Sequence, residues 1–210
     1  MKHLYNFFCI IAIASLSSSC SWFEDSQNST YDDILSASIK SPDAKFSNYM
    51  TFAITDKVLF AYDEESKRES NPIGSSIINN VTKNMLDLGY TQIYDNSMKA
   101  DLLVDISVLV STHTTYYPGS YWWWDWNYWD PYWGYDPFYP YYPYPLPTYS
   151  SSYTSGTIII DVLSATELKE KEEKIPVIWH GYVRSILDVK HTESQRNAAI
   201  DKCFTMLPPK

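Results

Sequence analysis

The feature that most restricts the fold is a tract of aromatic residues and prolines at residues 120–149, SYWWWDWNYWDPYWGYDPFYPYYPYPLPTY. It contains six of the eight tryptophans of the chain. Its second half carries prolines at positions 131, 137, 140, 143, 145 and 147. Each proline removes a backbone donor and is incompatible with a helix interior. We therefore expect polyproline II or irregular backbone over 131–147 rather than a regular core element.

The first part of the tract, YWWWDWNYW at 121–129, contains no proline. In an extended conformation alternate side chains share a face, and this segment would then present a row of aromatic rings. Tryptophan and tyrosine are typical of binding hot spots and of the membrane–water interface, and their rings also stack on sugars. We predict that six aromatic residues of the tract bind a ligand, namely Trp122, Trp124, Trp126, Tyr128, Trp129 and Trp133. A glycan, a protein and the membrane interface are all compatible ligands, and a self-packed loop without a ligand is the alternative.

The N-terminus has the pattern of an export signal. A short basic start precedes the mostly apolar segment 4–16, which is too short to cross a bilayer. Small residues then lead into Cys20, as in a lipobox, so we expect residues 1–19 to be removed and Cys20 to be acylated. Leu16 lies four residues before Cys20, whereas a lipobox usually has leucine three before. An ordinary secretory signal cut near residue 19 is therefore the alternative.

Charge and cysteine content narrow the partners of the mature chain. Once residues 1–19 are removed and Cys20 is acylated, Cys203 has no cysteine left to pair with, and we expect it to be buried in the core. The net charge of −9 argues against nucleic acid as a partner and against electrostatic docking on anionic lipids. Attachment to the membrane would come from acyl chains. Ser21 replaces the aspartate that retains some lipoproteins at the inner membrane, which favours the outer membrane.

Hydrophobic periodicity outside the tract predicts an α+β domain at residues 41–210, behind a tether at 20–40. One helix should begin at Asn71–Pro72 and end at Gly89, and a second should begin at the Thr192 capping box. Residues 56–71 are predicted as a charged connection and residues 165–175 as an exposed tip. Strands are predicted at 32–40, 46–54, 101–111, 156–163 and 176–184. We expect a two-layer sandwich, a mostly antiparallel sheet of about four to five strands with two helices on one face, interrupted by an insertion at 116–155.

Several segments resemble, in order, bacterial envelope lipoproteins of domain of unknown function family 4136. The resemblance rests on LSSSC, FSNYMTFAI, the helix ending LDLGY, ADLLVDISV, GTIIIDVLSA, VIWHGYVRS and a final amphipathic helix ending MLP. It covers about residues 40–207, and the aromatic tract lies between ADLLVDISV and GTIIIDVLSA. The resemblance implies an α/β two-layer domain on a lipid tether, and it implies no activity.

No recognised catalytic or metal-binding motif occurs in the sequence, and we expect neither an enzyme activity nor a cofactor or metal. His180 is predicted to be a sheet-face histidine with a local hydrogen bond. Asp101, Asp105 and Asp161 lie on or beside predicted strands and could approach one another if those strands pair. We expect exposed or capping roles for them. A glycan hydrolase that uses these carboxylates is one alternative function, and a structural protein that self-associates through the tract is another.

Overall fold

The computed structural model describes residues 36–61, 66–94, 99–110, 139–143, 156–167, 169, 174–184 and 191–210. Within these ranges the chain forms an α+β domain in which two helices pack on a mixed sheet. The predicted signal, most of the predicted tether with Cys20, and the predicted binding residues Trp122, Trp124, Trp126, Tyr128, Trp129 and Trp133 lie outside the described residues.

Nine strands and two helices make up the described domain. The strands are β1 Ser36–Lys40, β2 Thr51–Ile54, β3 Val58–Ala61, β4 Ser66–Glu69, β5 Thr91–Gln92, β6 Leu102–Leu109, β7 Tyr139–Tyr141, β8 Thr157–Ser164 and β9 Lys174–Val183. The helices are α1 Pro72–Asp87 and α2 Glu193–Phe204, and short 3-10 turns cover Phe46–Asn48 and Ala165–Glu167. β1 pairs with β9 throughout its length, so the sheet includes residues that were assigned above to the tether.

The sheet is larger and less antiparallel than the sequence predicted. Its main path runs β1-β9-β8-β6-β2-β5, with β3 also on β6, β4 on β3, and β7 on β9. The pairs β2–β6, β3–β6, β2–β5 and β7–β9 are parallel, and the other four are antiparallel. The prediction of about four to five mostly antiparallel strands was therefore wrong. Helix α1 provides the crossover that lets β2 and β3 run parallel to β6.

The predicted charged connection at 56–71 was also wrong in part, because it contains the hairpin strands β3 and β4. Neither strand alternates between apolar and polar residues. All four residues of β3 are buried, whereas β4 is the charged segment SKRE, which pairs with β3 at the edge of the described sheet. A strand buried on both faces has no period-two signal, and a charged edge strand is typical of protected sheet edges. Neither strand therefore had the pattern by which strands are recognised in a sequence.

The helix ends follow the sequence signals closely. The side chain of Asn71 accepts a hydrogen bond from the backbone N–H of Gly74 at 2.8 Å, with Pro72 in the first turn of α1. Gly89 has φ of +93°, the left-handed conformation that terminates helices at low cost. Thr192 and Gln195 form the predicted capping box of α2. These three predictions are confirmed.

Both faces of the central sheet are buried, and each belongs to a separate hydrophobic cluster. On one face α1 and α2 cover alternate residues of the strands. Residues of the other face form a second cluster, which contains no helix residue. All eight residues of β6 and all eight of β8 are buried. Neither face of β6 or β8 is therefore exposed to water.

A bulge in β9 changes which residues face the helices. Val162 of β8 lies opposite Trp179, but the next residue, Leu163, lies opposite Val177, so Ile178 is an extra residue in β9. Ile178 and Trp179 consequently both belong to the helix-side cluster. Strict alternation along the strand would place Trp179 on the same face as Val177, but the bulge shifts the period by one residue and puts them on opposite faces.

Trp179 lies over Gly181, two residues further along β9. A Cβ atom at Gly181 would approach the Cη2 atom of the Trp179 indole to 2.4 Å, closer than such atoms come in real structures. Trp179 is itself fully buried and packs against Phe204 of α2, with ring centroids 5.1 Å apart. The absence of a side chain at Gly181 therefore makes room for the largest residue of the helix-side core.

We expect Gly181→Ala to lower the free energy of unfolding by about 2 kcal/mol or more, because the indole must leave its packed position. Urea-induced unfolding followed by circular dichroism measures the change. Gly74→Ala is the matched control, since a Cβ there would meet its nearest neighbour at 3.4 Å and alanine favours a helix. Equal effects of the two substitutions would show that the contact with Trp179 does not limit position 181.

Tyr49 joins the N-terminal part of the domain to the turn after β8. Its ring is buried, and its hydroxyl donates a hydrogen bond to the Glu167 carboxylate. Burial, followed by the hydrogen bond to Glu167, raises the pKa of Tyr49 to about 12. Because the folded value lies above the ordinary value of about 10, the stabilisation is complete below pH 10 and is lost as the pH rises towards 12.

Replacing Tyr49 by Phe should therefore make the free energy of unfolding decrease less steeply between pH 10 and pH 12. At neutral pH the same variant should lose about 1 kcal/mol with the hydrogen bond to Glu167. Urea titrations at a series of pH values test both statements. Tyr94→Phe is the control, because Tyr94 is 81% exposed. Parallel curves for wild type and Tyr49→Phe above pH 10 would contradict the assignment.

Candidate functional site

A row of polar side chains crosses the middle of the sheet face opposite to α1 and α2. The ladder between β6 and β8 places Asp105 directly opposite Asp161. The ladder between β8 and β9 places Asp161 directly opposite His180. Paired residues of antiparallel strands share a face, so the three side chains lie side by side across three strands. Apolar residues of the same face surround them, namely Leu103, Leu109, Ile159, Leu163, Val177 and Tyr182.

Asp161 and His180 form a hydrogen-bonded pair at the centre of this polar row. The Nδ1 atom of His180 lies 2.7 Å from the Oδ1 atom of Asp161. Asp161 is 1% exposed and His180 is 2% exposed. Burial raises the pKa of the Asp161 carboxyl, and the neighbouring His180 acts in the opposite direction. The hydrogen bond joins two polar groups in a medium of low polarity, where removal of one partner leaves the other buried without this contact.

Tyr142, from the aromatic tract, contacts the pair from above the sheet. Its hydroxyl donates towards the Asp161 carboxylate, at 3.3 Å from Oδ2 and 3.4 Å from Oδ1. Its ring meets the imidazole of His180 edge to face, with centroids 5.5 Å apart and an interplanar angle of 88°. The tract therefore contributes a side chain to the same cluster as three strands of the domain. Nothing in the sequence distinguished Tyr142 from the other tyrosines of the tract.

The residues just before Tyr142 form the short strand β7. Tyr139, Pro140 and Tyr141 pair in parallel with Lys174, Ile175 and Pro176 at the start of β9. The expectation of no regular element within 131–147 was therefore wrong for these three residues. The strand has only three residues, and the position of Pro140 has no N–H to donate, which fits proline's restriction to the edges of sheets. Lys169 lies over the Tyr141 ring, with its Nζ atom 4.7 Å from the centroid.

The structure brings together two of the three aspartates considered in the sequence and separates the third. Asp105 and Asp161 are each 1% exposed, so the expected exposed or capping role was wrong for both. The expectation fails because the second sheet face is buried. Asp101 instead caps the chain at β2, where its Oδ2 atom accepts hydrogen bonds from the backbone N–H groups of Met50 and Thr51 and from the Thr51 hydroxyl. His180 lies on the sheet face with a hydrogen bond to a neighbour, as predicted.

Cys203 lies in the helix-side core, as expected from its place in the helical pattern. It is the free cysteine of the described residues. Burial raises the pKa of its thiol to about 12, so it remains an unreactive thiol at neutral pH.

Among the residues that the structure describes, no three His, Cys, Asp or Glu side chains are arranged to hold a metal ion. In the same ranges, neither helix is long and apolar enough to span a bilayer.

Residues 37–209 match the family model described as Domain of unknown function (DUF4136). The chain belongs to this family. Its structure is similar to the crystal structure of a DUF4136 family protein from Bacteroides thetaiotaomicron, with a TM-score of 0.63 and 24% identity over 85% of this chain and 100% of that one. This likeness supports the fold alone. The match to a PelC dodecamer from Paraburkholderia phytofirmans has a TM-score of 0.38 at 11% identity, over 80% of this chain and 92% of that one. Among curated proteins, none matches the chain.

The buried pair generates a prediction about stability. Replacing only Asp161 or only His180 by Leu should cost about 3–5 kcal/mol of unfolding free energy, because the remaining partner is left buried without its counterpart. Replacing both by Leu should cost much less than the sum of the two single changes, since no uncompensated polar group remains. Urea unfolding of the four proteins measures the coupling. Additive effects would show that the two residues do not act as a pair.

Proposed function

We propose that this DUF4136 family member is a lipid-anchored, non-catalytic protein of the bacterial cell envelope, at the outer membrane. In this proposal the α+β domain presents the aromatic tract to a glycan, a protein or the membrane interface. The observation that carries the proposal is the composition of the tract: six tryptophans lie within residues 120–149, and the tract has no Lys or Arg. A large set of aromatic rings with little charge is typical of binding surfaces.

The described part of the tract supports this proposal in one respect. Tyr139–Tyr141 pairs with β9, and Tyr142 contacts Asp161 and His180. The domain therefore has specific contacts for a residue of the same tract as the predicted binding residues, nine positions after Trp133. A tract joined to its domain at such a point loses less conformational entropy on binding a ligand than a freely moving one, which favours affinity.

Lipid attachment is tested with cysteine variants. We expect Cys20→Ser to abolish incorporation of radiolabelled palmitate and to shift the protein from the detergent phase to the aqueous phase in Triton X-114 partitioning. Cys9→Ser is the matched control, because Cys9 lies within the predicted signal and should not carry the lipid. Labelling of Cys20→Ser at the wild-type level would exclude the anchor.

Binding by the tract is tested by replacing the predicted binding residues by Ser, with residues 139–143 left unchanged so that the contacts with the domain persist. We expect the variant to lose at least tenfold in binding, since each hot-spot aromatic ring contributes about 2 kcal/mol or more. A glycan array, sedimentation with purified peptidoglycan, and flotation with vesicles of outer-membrane lipids separate the ligand classes. Replacing Tyr94 by Ser supplies a control with an altered aromatic residue outside the tract, because Tyr94 is exposed. Equal binding by wild type and the tract variant would refute the proposal.

A hydrolase of envelope glycans is the second candidate, and one observation favours it. Asp105 and Asp161 lie directly opposite each other on neighbouring strands, and glycosidases use two carboxyl groups about 5–10 Å apart. Both side chains are nearly inaccessible, and Tyr142 contacts Asp161 from the open side of the sheet. Access for a polysaccharide would require displacement of Tyr142, which makes this candidate weaker. Release of soluble sugars from peptidoglycan, lost in Asp161→Asn, would establish the hydrolase.

Self-association through the tract is the third candidate function. Light scattering of wild type and of the tract variant distinguishes it, because only self-association makes the molecular mass depend on the tract.

A further inference from the structure

The contacts of Tyr142 bear on how the aromatic tract is held. A buried ionisable pair costs free energy relative to apolar residues of similar size. Its presence in a mainly apolar sheet face therefore indicates that the pair has a function. Asp161 and His180 are each placed by a regular strand, and their neighbours on the face are mainly aliphatic. Within the described ranges, Tyr142 is the residue that reaches this pair from outside the three strands.

Tyr142 uses both of the properties that distinguish tyrosine from other residues. Its hydroxyl donates to the carboxylate of Asp161, and its ring makes a T-shaped contact with the His180 imidazole. Phenylalanine would supply the ring without the hydrogen bond, and serine would supply a hydroxyl without the ring. The hydrogen bond between the Nδ1 atom of His180 and the Oδ1 atom of Asp161 holds the acceptor in place, because it fixes the orientation of the Asp161 side chain. The pair thus has the chemistry of a binding site for a phenol.

Within the described residues 139–143, the backbone pairing of the tract is short. β7 pairs with β9 over only three residues, and one of them is a proline, which donates no backbone hydrogen bond. The cation–π contact of Lys169 with Tyr141 adds a modest amount at a partly exposed position. The hydrogen bond and ring contact of Tyr142 are therefore a substantial share of what fixes this part of the tract to the domain.

We propose that the Asp161–His180 pair is an intramolecular binding site for the phenol side chain of Tyr142, which fixes the middle of the aromatic tract to the sheet. This role concerns the attachment of the tract and holds whether or not the tract binds an envelope ligand. The remaining titratable groups that face the pair are Asp105 on β6 and Tyr182 on β9.

Hydrogen exchange of the full-length chain tests the proposal, with Tyr142→Phe compared to Tyr141→Phe. The two variants lose the same hydroxyl one residue apart, but only Tyr142 points its hydroxyl at Asp161. We expect Tyr142→Phe to speed exchange of the amides in 139–143 by about three- to tenfold, the factor that corresponds to one lost hydrogen bond. Tyr141→Phe should leave the rate within about twofold of wild type. Amides of β6 should remain protected in both variants, which shows that the fold is intact. Equal rates in the two variants would overturn the proposal.

A double-substitution cycle shows whether Asp161 is the partner. Asp161→Asn keeps the shape of the side chain but weakens the acceptor, and it should speed exchange in 139–143 in the wild-type background. In the Tyr142→Phe background the same change should have little further effect on these amides, because the hydroxyl that used the acceptor is gone. Multiplicative effects of the two changes would overturn the assignment of Asp161 as the partner.

A small-molecule experiment tests recognition of the phenol directly. Tyr142→Ala removes the side chain, and p-cresol carries the same ring and hydroxyl. We expect p-cresol to raise the midpoint of thermal unfolding of Tyr142→Ala more than toluene does, and to have no such advantage over toluene with the wild-type chain. An equal response to both compounds would show that the site does not recognise the hydroxyl, and an equal response of both proteins would show that Tyr142 does not occupy it. Because none of these readouts uses an envelope ligand, their failure is distinguishable from failure of the proposed function.

Discussion

The antiparallel register between β6 and β8 is the constraint on which the rest of the structure depends. These two strands are buried on both faces and form the longest ladder of the sheet, with eight residue pairs. A slip of one residue would move every side chain to the opposite face. In whichever strand shifts, it would bring the aspartate, Asp105 or Asp161, into contact with the apolar helices and move the aliphatic row to the opposite face. The alternation of aliphatic and polar residues along β6 therefore fixes both the packing of the helices and the position of the polar row.

The two faces of the sheet use this register differently. The helix side is a conventional core, in which α1 and α2 cover aliphatic residues and the Trp179 indole fills the space above Gly181. The opposite side carries aliphatic residues around Asp105, Asp161 and His180, together with Tyr142 from the tract. A core of the first kind is tolerant of volume-conserving changes. A face of the second kind demands particular partners, because each buried polar group needs its hydrogen bond.

Much of the fold could be predicted from the sequence, and the failures have identifiable causes. Helix ends were predicted well because Asn71, Gly89 and the Thr192 capping box act locally, within one turn of chain. β3 was missed because a strand buried on both faces does not alternate, and β4 because it is charged. Parallel pairing of β2 and β3 with β6 depends on contacts between distant residues, which periodicity does not encode. For the site, His180 was placed correctly, whereas the burial of Asp105 and Asp161 depends on what lies above the sheet, and Tyr142 was one tyrosine among many.

The extra residue at Ile178 has a consequence beyond local packing. If the alternation continued unbroken from Val177 towards the C-terminal end of β9, His180 would lie among the helix-side residues. Asp161 would then have no basic neighbour on its own face. One added residue thus decides whether the domain has an acid–imidazole couple at all. Gain or loss of a single codon at this point would then be enough to decide whether Asp161 has an imidazole or an aliphatic side chain beside it.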